Sequence, residues 1–501
     1  MSDSDPSPPR IDRKATRDTV LWGAGLAFAT KVGSILLSLL LARLISPEMF
    51  GQYGVVSGVI LLLLSFSMQT FSAHLFHQRT TTAEDYYPHF AFGIMLHTLL
   101  FVVCNLVALV MHFLPQYQPI ALYVHVGSLA MLINIPRYYY AVYLRIELKW
   151  KKLRSLQIWS FVLYAAVSAL LAWKGYGVWA LLMQNLLVPV PLVIGFLLDK
   201  DCPRAWKFSW RAYRESFTFG MLRTTSGALV AAQAAIESFV LSLVAGFGPL
   251  GLFIRARGLA QLAATWISDQ VIAVLYPTLA RMEPRSTEAR RAAGLLLKVG
   301  LWTTAPLAVT LAMAERAAIY TLYGFQWGKV APMVRPMLLA ATAACLYHVV
   351  KLVVLTNDGA KRTLAFDMVM VSTNLLCLIA LWVGDMQTYA VTLGVVLTVI
   401  VGGMLVVMVR GGLLALSDLV TSVLPGLVLT IAGLIVAAGG WYLALEDARP
   451  IVTLAITGAA TSVLMLGLIR FTDPAGLNTL CGLLPGGKIA RRFLLLNKAP
   501  A

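Results

Sequence analysis

The sequence predicts an all-α polytopic membrane protein with about 14 transmembrane helices, each of roughly 20 mostly apolar residues. Two observations predict this fold class. Hydrophobic residues make up 59% of the chain and charged residues only 13%, a composition unsuited to a water-exposed surface. Apolar stretches long enough to cross a bilayer also recur from Leu21 almost to the C-terminus, with short loops between them. Neither side of the membrane is left with enough sequence for a folded catalytic domain.

Six spans are predicted in the first part of the chain, each ending at a charged or turn-rich break. They are 21–45, 51–76, 89–111, 120–140, 158–173 and 176–198. Residues 1–17 are polar and basic, and the apolar run after them is too long for a signal peptide. We therefore expect a cytoplasmic N-terminal tail at 1–17 and an N-lobe at 18–198.

A second set of six spans follows a basic linker at 199–216 and forms a C-lobe at 217–410. These spans are 217–244, 250–279, 293–313, 333–355, 364–383 and 389–409. Two further spans, 419–443 and 451–468, occupy residues 411–470. The remaining residues, 471–501, are expected to form a cytoplasmic or interfacial tail, because Phe493 and three leucines follow Arg491 and Arg492; a disordered terminus is the alternative.

The net charge of +17 is concentrated in alternate loops. The loops after spans four, six and eight are basic, whereas the loops on the other side are short and poor in charge. Basic loops mark the cytoplasmic side of a membrane protein. The charge therefore indicates topology rather than a nucleic-acid partner, and it predicts that both termini are cytoplasmic.

No motif in the sequence points to catalysis. The five cysteines are scattered and have no metal-ligand spacing, and no glycine-rich phosphate loop is followed by Lys and Ser or Thr. We expect neither an enzyme nor a bound cofactor or metal, although coupling to a Na⁺ or H⁺ gradient stays open.

Polar residues share one helix face in four of the predicted spans. Residues three, four or seven apart in sequence lie on the same side of a helix. The stripes are Lys31, Ser34 and Ser38 in span one; Ser65, Gln69 and Ser72 in span two; Arg223, Ser226, Gln233 and Glu237 in span seven; and Arg257, Gln261, Thr265 and Ser268 in span eight.

Cations at membrane depth are costly unless water, a partner or an anionic ligand accompanies them. Packing of small polar residues explains the uncharged stripe of span two equally well. The stripes with cations instead suggest a cavity for an anionic substrate, to which arginine can present paired donors. We predict diphosphate contacts from Lys31, Arg223, Arg255 and Arg257, glycan contacts from Gln69, Gln233 and Gln261, and ion coupling by Glu237 or Asp269.

Other polar residues favour structural roles. Lys351 and Asp367 are expected to pair across the turn between spans ten and eleven, and Lys298 near a span end is expected to extend to the interface. Tyr138, Tyr139 and Tyr140 are typical of an interfacial aromatic belt, with stacking on a sugar as the alternative.

Two sequence blocks resemble a known family. The first is 41–53, Leu-Ala-Arg-Leu-Ile-Ser-Pro-Glu-Met-Phe-Gly-Gln-Tyr; the second is 248–256, Gly-Pro-Leu-Gly-Leu-Phe-Ile-Arg-Ala, followed by Tyr-Pro-Thr-Leu-Ala-Arg at 276–281. In order and topology they resemble Wzx-type oligosaccharide flippases, the polysaccharide-transporter branch of the multidrug/oligosaccharidyl-lipid/polysaccharide (MOP) exporter superfamily. Phe253 departs from the family, which often has Tyr there.

The resemblance implies two six-helix lobes in a V around a central cavity lined by spans one, two, seven and eight. It also implies transfer of an oligosaccharide, linked through diphosphate to undecaprenol, from the inner to the outer leaflet of a bacterial inner membrane. Membrane lipid, a polysaccharide polymerase and a chain-length regulator are the partners it suggests.

Three alternatives stay open beside a flippase working by alternating access. A multidrug exporter of the same superfamily typically takes cations, and the stripes here contain more cations than acids. A glycan polymerase or ligase needs a sizeable outer loop, and the longest one here, 316–332, is modest. A structural scaffold would leave the cavity cations without a role.

Overall fold

The computed structural model describes residues 13–67, 83–279, 281–438, 450–475 and 477, and these residues are overwhelmingly helical. The first half contains α1 (Arg13–Leu44), α2 (Pro47–Leu64), α3 (Ala83–Phe113), α4 (Gln118–Ile146), α5 (Trp150–Trp173), α6 (Gly177–Leu187), α7 (Val190–Leu198) and α8 (Trp210–Ala245). The second half contains α9 (Phe247–Leu279), α10 (Thr287–Met313), α11 (Glu315–Leu322), the 3₁₀ helix η1 (Phe325–Val330), α12 (Ala331–Asp358), α13 (Ala360–Cys377), α14 (Ala380–Val383), α15 (Met386–Arg410), α16 (Leu416–Ala438) and α17 (Pro450–Thr472).

Within the described residues, 12 helical segments are long and apolar enough to cross a membrane. Helices at the positions of the first and eighth predicted spans, α1 and α9, contain 32 and 33 residues. Each predicted span coincides with one helix, or with two consecutive helices in spans six and eleven. The end of span two and the end of span thirteen lie outside the described residues. The multi-pass helical class is therefore confirmed, and the total of fourteen stays a prediction.

Several helices begin where their sequences provide a cap. The side chains of Ser46, Ser286 and Asp385 accept hydrogen bonds from backbone amides three residues ahead, at the starts of α2, α10 and α15. Such caps satisfy amides that have no partner within the helix. At the end of α8, Gly246 has φ of 89°, a left-handed conformation that glycine adopts without strain and that separates α8 from α9.

The chain divides into two compact units, an N-terminal unit, Met1–Ala235, and a C-terminal unit, Ile236–Ala501. The boundary falls inside α8. In the N-terminal unit α3 packs along α4, α1 packs along α5, and α7 packs on α4. In the C-terminal unit α12 packs between α9 and α15, while α16 and α17 pack on α10.

An aromatic cluster forms part of the core of the N-terminal unit, where Tyr139 and Tyr140 are 1% and 0% exposed. Tyr140 donates a hydrogen bond to Asp199 Oδ2 at 2.7 Å, and Tyr86 packs edge-on against Tyr139 with centroids 6.3 Å apart. The prediction of an interfacial belt is therefore wrong for Tyr139 and Tyr140. Their hydroxyl groups are bonded inside the protein, which allows burial.

Ion pairs connect helices of the C-terminal unit. Lys351 Nζ lies 2.9 Å from Asp367 Oδ1, which confirms the predicted pair between α12 and α13. The prediction for Lys298 is wrong, since this residue of α10 lies 3.0 Å from Asp418 Oδ1 and 2.7 Å from Asp473 Oδ2. Lys298 thereby joins α10 to α16 and to the end of α17 instead of extending to an interface.

Candidate functional site

Two adjoining pockets in the N-terminal unit share Arg137, Tyr138, Gln184 and Val188, and each has a volume of about 340 Å³. We call the first the arginine chamber. It is also lined by Thr30, Ser34, Ala141, Arg145, Gln157, Ser160, Phe161, Tyr164 and Leu192. We call the second the amide chamber. It is also lined by Leu61, Leu64, Ser65, Asn134 and Asn185.

One face of α4 provides both cations of the arginine chamber. Arg137, Ala141 and Arg145 are four residues apart, so they lie on one side of the helix. Their spacing places the two arginine backbones about 12 Å apart along the axis. α4 continues to Ile146, six residues beyond the predicted end of span four, and Arg145 is therefore a helical residue rather than a loop residue.

Uncharged polar side chains from two other helices also line the arginine chamber. Gln157, Ser160 and Tyr164 come from one face of α5, and Ser34 comes from α1. α5 begins at Trp150, eight residues before the predicted span five, and this extension brings Gln157 into the helix. Ser34 belongs to the predicted stripe of span one.

The arginine chamber has an excess of positive charge. Arg137 Nη1 donates to Asn134 Oδ1 at 2.7 Å, and its guanidinium carbon lies 5.0 Å from the centroid of the Tyr138 ring. Arg145 experiences the like charges of Arg154 and Arg137. No Asp or Glu lines either chamber within the described part of the chain. A multiply charged anion would complement this arrangement.

A break between α6 and α7 lies in the wall of both chambers. The backbone N–H of Val188, the residue after α6, donates a long hydrogen bond of 3.4 Å to the carbonyl of Gln184. Pro189 has no amide hydrogen, so the carbonyl of Asn185 cannot receive the bond that a continuous helix would give it. Broken helices at membrane depth occur where they line a cavity, because polar ligands or water can then satisfy their backbone groups.

In the C-terminal unit, Glu237, Arg257 and Tyr389 form one buried polar cluster. Arg257 Nη1 donates to Glu237 Oε2 at 2.8 Å, and Nη2 donates to Oε1 of the same carboxylate. Tyr389 donates its hydroxyl to Glu237 Oε1, and the Arg257 guanidinium lies 4.5 Å from the centroid of the Phe253 ring. The structure therefore brings together a residue predicted to bind diphosphate and one predicted to couple an ion.

Arg255 has a different environment from Arg257. It is 9% exposed, and its guanidinium carbon lies 5.6 Å from the Tyr323 ring centroid and 5.8 Å from that of Trp327. Stacking of this kind favours a cation next to an aromatic face. Arg255 thus connects α9 to the segment that contains α11 and η1, which replaces the predicted outer loop.

Three other predicted site residues, Lys31, Gln233 and Gln261, line neither chamber. Lys31 is exposed on α1, three residues before Ser34, while Gln233 is half-buried on α8 and Gln261 is exposed on α9. Gln69 and the side chains of Arg223 and Asp269 lie outside the described residues. Their predicted roles are untested. Among the described residues, no group of three or more His, Cys, Asp or Glu could hold a metal ion.

A hydrogen-bonded cluster holds the chain that leaves α7. Lys152 Nζ lies 2.8 Å from Asp199 Oδ2, which also accepts from Tyr140. Burial acts to raise the pKa of Asp199, but the hydrogen bonds from Lys152 and Tyr140 outweigh it, so its pKa lies below the ordinary value. Arg204 then donates to the carbonyls of Phe196 and Asp199 at the end of α7.

Comparison with known proteins agrees with this architecture. A family described as polysaccharide biosynthesis protein matches residues 40–332, more than half of the chain. The chain belongs to this family. It is also 24% identical over 336 residues to the succinoglycan biosynthesis transport protein ExoT of Rhizobium meliloti (strain 1021), and the match covers 63% of the chain and 65% of ExoT.

Two solved structures have a similar fold. The lipid II flippase MurJ in an inward closed conformation has a TM-score of 0.69 at 12% identity, covering 90% of this chain and 99% of MurJ. An inward-facing multidrug resistance MATE family transporter of the MOP superfamily has a TM-score of 0.59 at 14% identity, covering 77% and 95%. The family match confirms the predicted resemblance to a polysaccharide family, and the two solved structures show the shared fold. The expectation of a transporter rather than an enzyme agrees with the names of these relatives.

Proposed function

We propose that the chain is a flippase that moves a polyprenyl-diphosphate-linked oligosaccharide from the inner to the outer leaflet of a bacterial inner membrane. The observation that carries this proposal is the arginine chamber, where Arg137 and Arg145 line one pocket without an acidic lining residue in the described structure. Family membership and the fold shared with MurJ support the same assignment.

Arg137 and Arg145 repel each other in the arginine chamber, and an anionic ligand would relieve this repulsion. The chamber holds two arginines on one helix face, and a diphosphate offers several acceptor oxygens that guanidinium groups bind in pairs. The oligosaccharide would occupy the polar cavity, while the lipid chain could stay in the bilayer. Alternating access would then carry the headgroup across.

Arg257 is bound to Glu237 and Arg255 is stacked on aromatic rings, so Arg137 and Arg145 are the better-placed diphosphate ligands in the described structure. Lys31 and Arg223 stay as further candidates. Glu237 or Asp269 would couple transport to Na⁺ or H⁺. Both termini would be cytoplasmic, and a polymerase and a chain-length regulator would be partners.

A multidrug exporter is the second candidate function, since a MATE family transporter shares the fold. Transport of organic cations would favour acidic side chains around the substrate. The N-terminal unit has the opposite arrangement in both described chambers. The flippase is therefore the better-supported function.

Gene deletion and complementation would test the flippase. We expect loss of surface polysaccharide and accumulation of completed lipid-linked repeats, restored by the wild type but not by Arg137→Glu. Arg316→Glu changes the same residue type in α11 and is the matched control. Normal polymer in the deletion strain, together with altered drug tolerance, would instead favour the exporter.

A further inference from the structure

The amide chamber differs in chemistry from the arginine chamber that it adjoins. Ser65, Asn134, Gln184 and Asn185 line it, and Arg137 at the shared boundary is its one charged lining residue in the described structure. Asn134 is 1% exposed, donates to the carbonyl of Ala130 at 2.6 Å and accepts from Arg137. Its two polar atoms are therefore already engaged within α4.

Asn185 and Gln184 have more capacity for a ligand. Asn185 Nδ2 makes a long contact of 3.4 Å with the hydroxyl of Tyr53, which leaves its amide oxygen and second hydrogen for other partners. The backbone carbonyl of Asn185 lies at the break between α6 and α7, where Pro189 has no N–H to donate to it. Tyr138 adds an aromatic ring to the same chamber. Amide donors, amide acceptors and one ring suit a neutral molecule with several hydroxyl groups.

We propose that the amide chamber binds the sugar residue directly attached to the diphosphate, and that this sugar is uncharged. The inference rests on the proposed function, because it assumes that Arg137 and Arg145 bind the diphosphate. Arg137 lines both chambers, so it would contact the phosphate that carries the sugar. Asn185, which lines only the amide chamber, would then form hydrogen bonds with the sugar hydroxyls.

Binding of two lipid probes to the purified full-length protein in nanodiscs tests this inference. One probe is a short-chain polyprenyl diphosphate, and the other is the same lipid carrying a single N-acetylhexosamine. We expect the wild type to bind the sugar-bearing probe about fivefold more tightly, as one net hydrogen bond would give. We expect Asn185→Leu to reduce this ratio to about one, while binding of the bare diphosphate is retained as the control for folding.

Gln387→Leu is the matched control, since it removes an exposed amide at the start of α15. It should leave the ratio unchanged. If Asn185→Leu and Asn185→Ala both keep the full preference for the sugar-bearing probe, the sugar site is refuted while the flippase stands. Equal binding of both probes by the wild type would refute it as well. Failure of the wild type to bind either diphosphate would instead overturn the proposed function.

Discussion

Replacing Glu237 with glutamine should strongly destabilise the C-terminal unit. The carboxylate binds both terminal nitrogens of Arg257 and accepts from Tyr389, and its side chain is 3% exposed. Glutamine has nearly the same shape but no charge, so the change leaves Arg257 as an uncompensated cation. The perturbation therefore isolates charge from packing.

The expected magnitude follows from the burial of the two partners. Removing one partner of a buried ion pair costs about 3–5 kcal/mol. The Arg257 side chain is 29% exposed, so the protein encloses this partner only in part, and the expected loss lies near the lower end, about 3 kcal/mol. Replacing Arg257 with glutamine as well should recover much of it, with a coupling energy of about 2 kcal/mol.

Unfolding of the purified protein in detergent micelles would measure these effects. The wild type, Glu237→Gln, Arg257→Gln and the double variant form a double-mutant cycle. Additive losses, or a loss below about 0.5 kcal/mol for Glu237→Gln, would refute the reasoning because surface substitutions have effects of that size. Such a result would mean that the pair does not stabilise the protein.

Two further predictions concern other ion pairs. Asp367→Asn should destabilise the protein by about 3 kcal/mol in the same unfolding measurement, because it leaves Lys351 without its carboxylate. Asp358→Asn should cost less than about 1 kcal/mol, because the two arginines that pair with Asp358 are about half exposed. Asp199 has a lowered pKa in the folded state, so its contribution to stability is present above the ordinary value of 3.8 and is lost as the pH falls through the folded value. Asp199→Asn should therefore remove part of the acid-side decline of the unfolding midpoint, whereas Asp201→Asn should leave that decline in place.

Hydrophobic pattern predicted the positions of the helices well but not their exact ends. The lysines and arginines that cluster after Tyr140 predict a cytoplasmic loop there. In the structure α4 continues to Ile146 and α5 begins at Trp150, with Leu148 at a φ of 54° in the turn between them. A helix can extend past the apolar core, and hydropathy alone cannot locate its end.

The sequence alone does not reveal the arginine chamber, for the same reason. Arg137 and Arg145 are eight residues apart and share a face, but that spacing has meaning only if α4 includes both. Arg257 belongs to a predicted polar stripe, yet its partner Glu237 lies on the preceding helix, 20 residues away in sequence. Helical periodicity identifies the residues that share one face of a helix. It does not identify the neighbouring helix that packs against that face.

Lys351 and Asp367 show what sequence can predict across helices. A tight turn at Gly359, with φ of 84°, joins α12 to α13 and brings residues equally distant from the turn together. Local connectivity therefore specifies this pair. Lys298 pairs with Asp418 and Asp473, which are more than 100 residues away, and that contact depends on how α16 and α17 pack on α10.

A flipping assay in liposomes tests the central claim most directly. Purified protein would be reconstituted with a fluorescent polyprenyl-diphosphate-linked sugar, and a membrane-impermeant quencher would report how fast the probe crosses the bilayer. We expect the wild type to accelerate crossing, the Arg137→Gln/Arg145→Gln double variant to fall to the rate of protein-free liposomes, and Arg316→Gln to match the wild type. Crossing by the double variant at the wild-type rate would contradict the assignment of the arginine chamber as the diphosphate site.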